Sequence, residues 1–84
     1  MIDEIERYIA ELEGNEDNVR FKRLLRICEK VFGEYRIRGS HHIFKTPWPM
    51  DPRVNLQRGK GGKAKRYQVR QVLKALKKRR TQLK

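Results

Sequence analysis

Apolar side chains recur at two different periods along this chain, and the change of period marks its elements. Ile2, Ile5, Ile9 and Leu12 are spaced by three, four and three residues, which puts them on one face of a short helix over residues 2–12. Gly14 and Asn15 are its predicted end. A second helical pattern follows Asn18, with Phe21, Leu24, Leu25, Cys28, Val31 and Phe32 on one face and Arg20, Lys22, Arg23, Arg26 and Lys30 elsewhere. Gly33 is its predicted stop. From Tyr35 the period falls to two. With Gly39 and Ser40 at the tip of a hairpin, 38 pairs with 41, 37 with 42, 36 with 43 and 35 with 44. Paired residues share a face, so Tyr35, Ile37, His42 and Phe44 are expected against the helices. Arg36, Arg38, His41 and Ile43 then lie on the other side, where Ile43 is the misfit.

Pro47, Pro49 and Pro52 break the strand pattern, leaving TPWPMDP as a turn or loop that carries Trp48. RVNLQ reads as a third strand, Val54 and Leu56 inward, Asn55 and Gln57 outward. RGKGGKAKR, residues 58–66, is a glycine-rich basic loop. The last helix, YQVRQVLKALKK, sets Val69, Val72, Leu73 and Leu76 on one face, and the tail KKRRTQLK is expected to fray. The order helix, helix, strand, strand, strand, helix predicts an α+β domain in which three antiparallel strands carry two helices on one face. A further helix precedes them, placed either on the edge of this unit or against a partner. The organisation expected is an acidic N-terminal helical extension over 1–15, the main domain over 16–80 and a basic tail over 81–84.

Charge changes the picture from fold to partner. The 84 residues carry a formal net charge of +12, unevenly spread: residues 1–18 hold seven acidic side chains and one basic, the remainder 21 basic and three acidic. An excess that runs through strands, loop and helix alike points to a polyanion, with nucleic acid first among polyanions. A solvated, charge-rich surface is the plainer alternative. No apolar run approaches the length needed to span a bilayer, and the acidic start MIDEIERYIAELE lacks the basic and apolar regions of a signal peptide. A cytoplasmic protein without membrane contact is the expectation. The single cysteine, Cys28, sits among apolar neighbours at helical spacing and reads as core. Cys28, His41, His42 and scattered carboxylates do not make a zinc set, and neither a metal nor any other cofactor is expected.

Among residues able to carry chemistry, His41 stands out. The capacity of an imidazole to take up or give a proton and the two arginines expected on its face, Arg36 and Arg38, suit proton transfer beside a phosphate. The fitting reaction is attack of an RNA 2′-hydroxyl on the adjacent phosphorus, a route that requires no metal. The residues by themselves leave a second option open, a surface histidine that merely hydrogen-bonds phosphate. His42, on the apolar face, reads as packing. Lys60, Lys63, Lys65 and Arg66 are candidate phosphate contacts at the start of the last helix, with Ser40 and Lys45 added on the hairpin. The glycine loop is not a Walker A sequence, because no Ser or Thr follows a G-K at the required spacing. Trp48 and Tyr67 are aromatics able to stack on bases, although Trp48 reads equally as a cap on the core beneath the proline-rich loop and Tyr67 beside the last helix is expected to pack. Serine chemistry at Ser40 lacks an acid partner for its base.

The run GSHHIFKTP, then VNLQ, then GKAKRYQVRQVLKAL, led in by NVRFKRLLRICEKVFGEYRIR, resembles the HicA toxins of bacterial toxin-antitoxin systems over roughly residues 18–77. The resemblance implies a double-stranded-RNA-binding-domain-like fold, metal-free cleavage of mRNA by an endoribonuclease, and neutralisation by a HicB-type antitoxin. It also implies that the histidine after the glycine and small residue of the hairpin, His41 here, is catalytic. Relatives often carry His-Pro where this chain has Thr46-Pro47, and Lys-Pro-Tyr-Gln where it has Lys65-Arg66-Tyr67-Gln68. The alternative to a nuclease is an RNA-binding module of the same fold that does not cleave.

Overall fold

A computed structural model describes residues 4–46 and 54–82 of the chain. The first helix, α1 (Glu4–Leu12), turns the Ile5, Tyr8, Ile9 and Leu12 stripe inward. Its first turn carries Glu4 and Glu6, which favour the positive end of the helix dipole. Ile2 lies outside the described residues. The second helix, α2 (Phe21–Phe32), buries Phe21, Leu24, Ile27 and Cys28 and leaves Leu25, Val31 and Phe32 partly covered. Gly33 ends it with φ 91°, a left-handed conformation that favours glycine, and its N–H bonds back to the Glu29 carbonyl at 3.0 Å.

Three strands follow, β1 (Tyr35–Arg38), β2 (His41–Phe44) and β3 (Val54–Gln57), in one antiparallel sheet of order β1-β2-β3. The hairpin turns at Gly39 and Ser40 with the predicted register, Tyr35 opposite Phe44, Arg36 opposite Ile43, Ile37 opposite His42 and Arg38 opposite His41. β3 pairs His41 with Gln57, His42 with Leu56, Ile43 with Asn55 and Phe44 with Val54. The face formed by Phe44, Val54 and Leu56 is buried beneath the helices, the arrangement of a double-stranded-RNA-binding-domain-like fold. Ile37 departs from expectation: it is 63 % exposed. Pairing assigns Ile37 to the same side as His42, but β1 is an edge strand that the helices do not reach at Ile37, since α2 packs on β2 and α3 on β3.

A short 3-10 turn, Lys60–Gly62, leads into the third helix, α3 (Arg66–Gln82). The tail expected to fray is therefore helical as far as Gln82; no glycine or proline interrupts it, and the Thr81 hydroxyl donates to the Lys77 carbonyl at 3.1 Å. α3 buries Val69, Val72, Leu73, Ala75 and Leu76. α1 packs along α3, so Ile5, Ile9 and Leu12 belong to the same core cluster as the sheet and the other helices. Between them a single bridge, Arg20 with Lys63, and a 2.8 Å bond from the Ala64 N–H to the Val19 carbonyl tie the α1–α2 linker to the basic loop. Among the described residues no helix is long and apolar enough to cross a membrane.

Candidate nucleic-acid interface

The alternation that buries Phe44, Val54 and Leu56 turns their neighbours outward. Arg36, Arg38, His41, Ile43, Asn55 and Gln57 consequently share the sheet face away from the helices. Across it, Arg38, His41 and Gln57 form one cross-strand row and Arg36, Ile43 and Asn55 the next. Ile43, the misfit of the pattern, is half-buried between the arginines and the polar side chains of β3. Directly opposed side chains have Cβ atoms about 5 Å apart, so Arg38 flanks His41 closely enough to share one phosphate with it. Among the described residues neither the Arg36 nor the Arg38 guanidinium has an ion-pair partner, and both are exposed.

His41 is held in place. Its Nδ1 lies 3.0 Å from Oδ1 of Asn55, and its Nε2 has no hydrogen-bond partner among the described residues. Beside it, Nε2 of Gln57 donates to Oγ of Ser40 at 2.9 Å, which leaves the Ser40 hydroxyl proton for another acceptor. The backbone of Gln57 is fixed in turn, since Nε2 of the buried Gln68 donates to its carbonyl at 2.9 Å and also to Oη of Tyr67 at 3.3 Å. The hairpin tip, the end of β3 and the first turn of α3 thus converge at one end of the molecule. Arg58 lies there as well, its guanidinium 5.7 Å from the ring centre of Phe21.

His42 behaves as packing. Its ring meets Phe21 edge-on at 5.3 Å and Tyr35 at 4.9 Å, and its buried Nδ1 has no hydrogen-bond partner among the described residues. Cys28 is fully buried, and burial pushes its thiol up to about 12, so no thiolate is on hand as nucleophile or ligand. Among the described residues no three His, Cys, Asp or Glu side chains gather where they would hold a metal.

The cations of the loop and α3 differ from those of the sheet. Asp17 pairs with Arg66 at 3.6 Å, Glu16 with Arg70 at 3.9 Å and Glu13 with Lys77 at 2.8 Å, while Glu11 grips Arg23 through two 2.7 Å bonds. Lys63 reaches Oδ1 of Asn18 at 3.4 Å. The acidic stretch after α1 therefore lies along the basic side of α3 and occupies Arg66, one of the expected phosphate contacts. Lys65 is exposed. Lys45 is exposed beyond the far end of β2, about 13 Å along the strand from His41, and lines a groove with Val31, Phe32 and Arg79. The side chain of Lys60 and the whole of Trp48 lie outside the described residues. Tyr67 is 61 % exposed rather than packed: its helix turns Gln68 and Val69 inward and leaves Tyr67 at the rim with its hydroxyl on Gln68.

Sequence patterning did not single out Asn55, Gln57, Arg58 or Gln68 as site residues. The outward alternation of RVNLQ was the available signal for Asn55 and Gln57; the offset of β3 against β2, which brings Asn55 to His41, carried none. The chain matches no protein-family model, no curated protein and no solved structure.

Proposed function

We propose that this chain is a metal-independent, ribosome-independent endoribonuclease that cleaves mRNA in the cytoplasm, the toxin of a HicA-type pair, with His41 as its proton-transfer group. The observation that carries the reading is His41 itself, fixed through Nδ1 on the sheet face away from the helices, with Nε2 and the neighbouring Arg36 and Arg38 unpartnered among the described residues. A single-stranded RNA laid across that face has its phosphate between Arg36, Arg38 and the Ser40 hydroxyl and its 2′-hydroxyl toward His41. Nε2 removes the 2′-hydroxyl proton, the new O2′–P bond forms, the P–O5′ bond breaks, and the leaving oxygen takes a proton from water. The arginines stabilise the charge that builds on the phosphorane oxygens. The GSHH hairpin and the VNLQ strand that carry the resemblance form this face, and the GKAKRYQ turn meets the end of β3 through Gln68. A HicB-type antitoxin then acts by covering His41, the direct way to silence so small a nuclease.

The test compares wild type and His41→Ala, matched for folding by circular dichroism, on end-labelled single-stranded RNA in EDTA. Cutting by the wild type alone supports the reading. Binding by both without cutting overturns it in favour of a non-cleaving RNA-binding module. An antitoxin complex that is inactive with His41 open to solvent would contradict direct occlusion.

A further inference from the structure

Resting on the reading of His41 as the proton-transfer group, we infer that Asn55 is its positioning residue and makes Nε2 the nitrogen that accepts the 2′-hydroxyl proton. Oδ1 of an asparagine only accepts, so a 3.0 Å contact with Nδ1 requires the proton to be on Nδ1. A neutral imidazole with Nδ1–H has its free lone pair on Nε2, the nitrogen without a partner among the described residues. Asn55 is the diagonal neighbour of His41 across the β2–β3 pairing, a separation of about 7–8 Å between backbones that these two side chains span.

The strand beneath Asn55 is held on each side. Val54 and Leu56 are 2 % and 0 % exposed in the core, and the next residue, Gln57, is bonded through its carbonyl to Gln68 and through its side chain to Ser40. The acceptor that orients His41 is thus anchored in the rigid layer, while the histidine faces the open one. Being uncharged, Asn55 does this without drawing Arg36 or Arg38 away from the phosphate. Asn55 exchanges no proton; the proton gained by Nε2 returns to solvent, where it meets the hydroxide left by protonation of the leaving oxygen.

The test reads the tautomer and the reaction separately on the full chain. Two-bond nitrogen–proton spectra of RNA-free protein at alkaline pH, with His41 signals assigned by their loss in His41→Ala, report which nitrogen holds the proton. Nδ1–H in the wild type is expected, with a shift toward Nε2–H in Asn55→Leu and its return in Asn55→Asp, whose carboxylate also accepts. In single-turnover cleavage Asn55→Leu is expected to lose about tenfold to a hundredfold in rate with RNA affinity little changed, short of the loss in His41→Ala; Asn55→Asp recovers part of it, its charge competing with the phosphate for Arg36 and Arg38. Nε2–H in the wild type, or full cleavage by Asn55→Leu, overturns the role of Asn55. Absence of cleavage by a wild type that shows Nδ1–H instead overturns the nuclease reading, and with it the catalytic use of the contact.

Discussion

Replacing Glu13, Glu16 and Asp17 by Gln, Gln and Asn should strengthen RNA binding and steepen its salt dependence. In the native protein these three acids hold Lys77, Arg70 and Arg66 along one side of α3. Amides of the same shape leave the cations in place and unpaired. Each phosphate neutralised on a single strand contributes about −0.7 to the slope of log affinity against log salt, so three new contacts steepen it by about 2. Lowering salt from roughly 200 to 50 mM then strengthens the variant about 20-fold more than the wild type. The fold should survive, because exposed pairs of this kind contribute about 0.2–1 kcal/mol each. Fluorescence anisotropy with labelled single-stranded RNA, in a His41→Ala background that removes the proposed proton-transfer group, measures both quantities. Parallel salt plots of equal affinity, from proteins with matching circular dichroism, would refute the idea that the acidic stretch competes with RNA for α3.

Leu12→Ala should cost about 2–5 kcal/mol, and at about 4–8 °C per kcal/mol for a chain of this size the melting temperature falls by about 8 °C or more; a change of a degree or two would mean that α1 is not part of the core. Cys28 should resist thiol reagents in the folded protein, since burial holds it protonated to about pH 12, and should label fully in denaturant; rapid labelling without denaturant would contradict its burial. The bond to Arg23 lowers the Glu11 carboxyl below its ordinary value of 4.5. The stabilisation from that pair is complete above the ordinary value and is lost as pH falls through the lowered one. Denaturant midpoints should therefore show Glu11→Gln less stable than wild type at neutral pH and the gap closing in acid; a gap independent of pH would place the effect elsewhere.

The hairpin was legible residue by residue because three signals coincide in it: a period of two, a Gly39-Ser40 tip, and a register in which one slip would bury Arg36 and expose Phe44. The same register could not show that Ile37 is exposed, since pairing states which side a residue faces and not how far the helices extend over an edge strand. Local pattern gave the apolar stripe of α1 but not its destination on α3, which is remote in sequence. His41 was visible as a residue type at a turn. Its partner was not, because Asn55 reaches it through the offset between β2 and β3, a property of packing between separated segments. The ion pairs of Glu13, Glu16 and Asp17 were legible only as an imbalance of charge; the geometry converts that imbalance into a strip of occupied cations on α3 and unpaired ones on the sheet.

The seating of α1 on α3 also sets a clock. During synthesis the stripe of Ile5, Ile9 and Leu12 emerges some seventy residues before the helix that covers it is complete, an interval of roughly 4–14 s at usual elongation rates. Until then the stripe is without its cover, and the strand that carries Asn55 lacks the Gln68 bond that fixes its end. Maturation of the histidine face therefore waits on α3, and a nascent chain held short of it carries the site residues on the sheet but not the framework that aligns them.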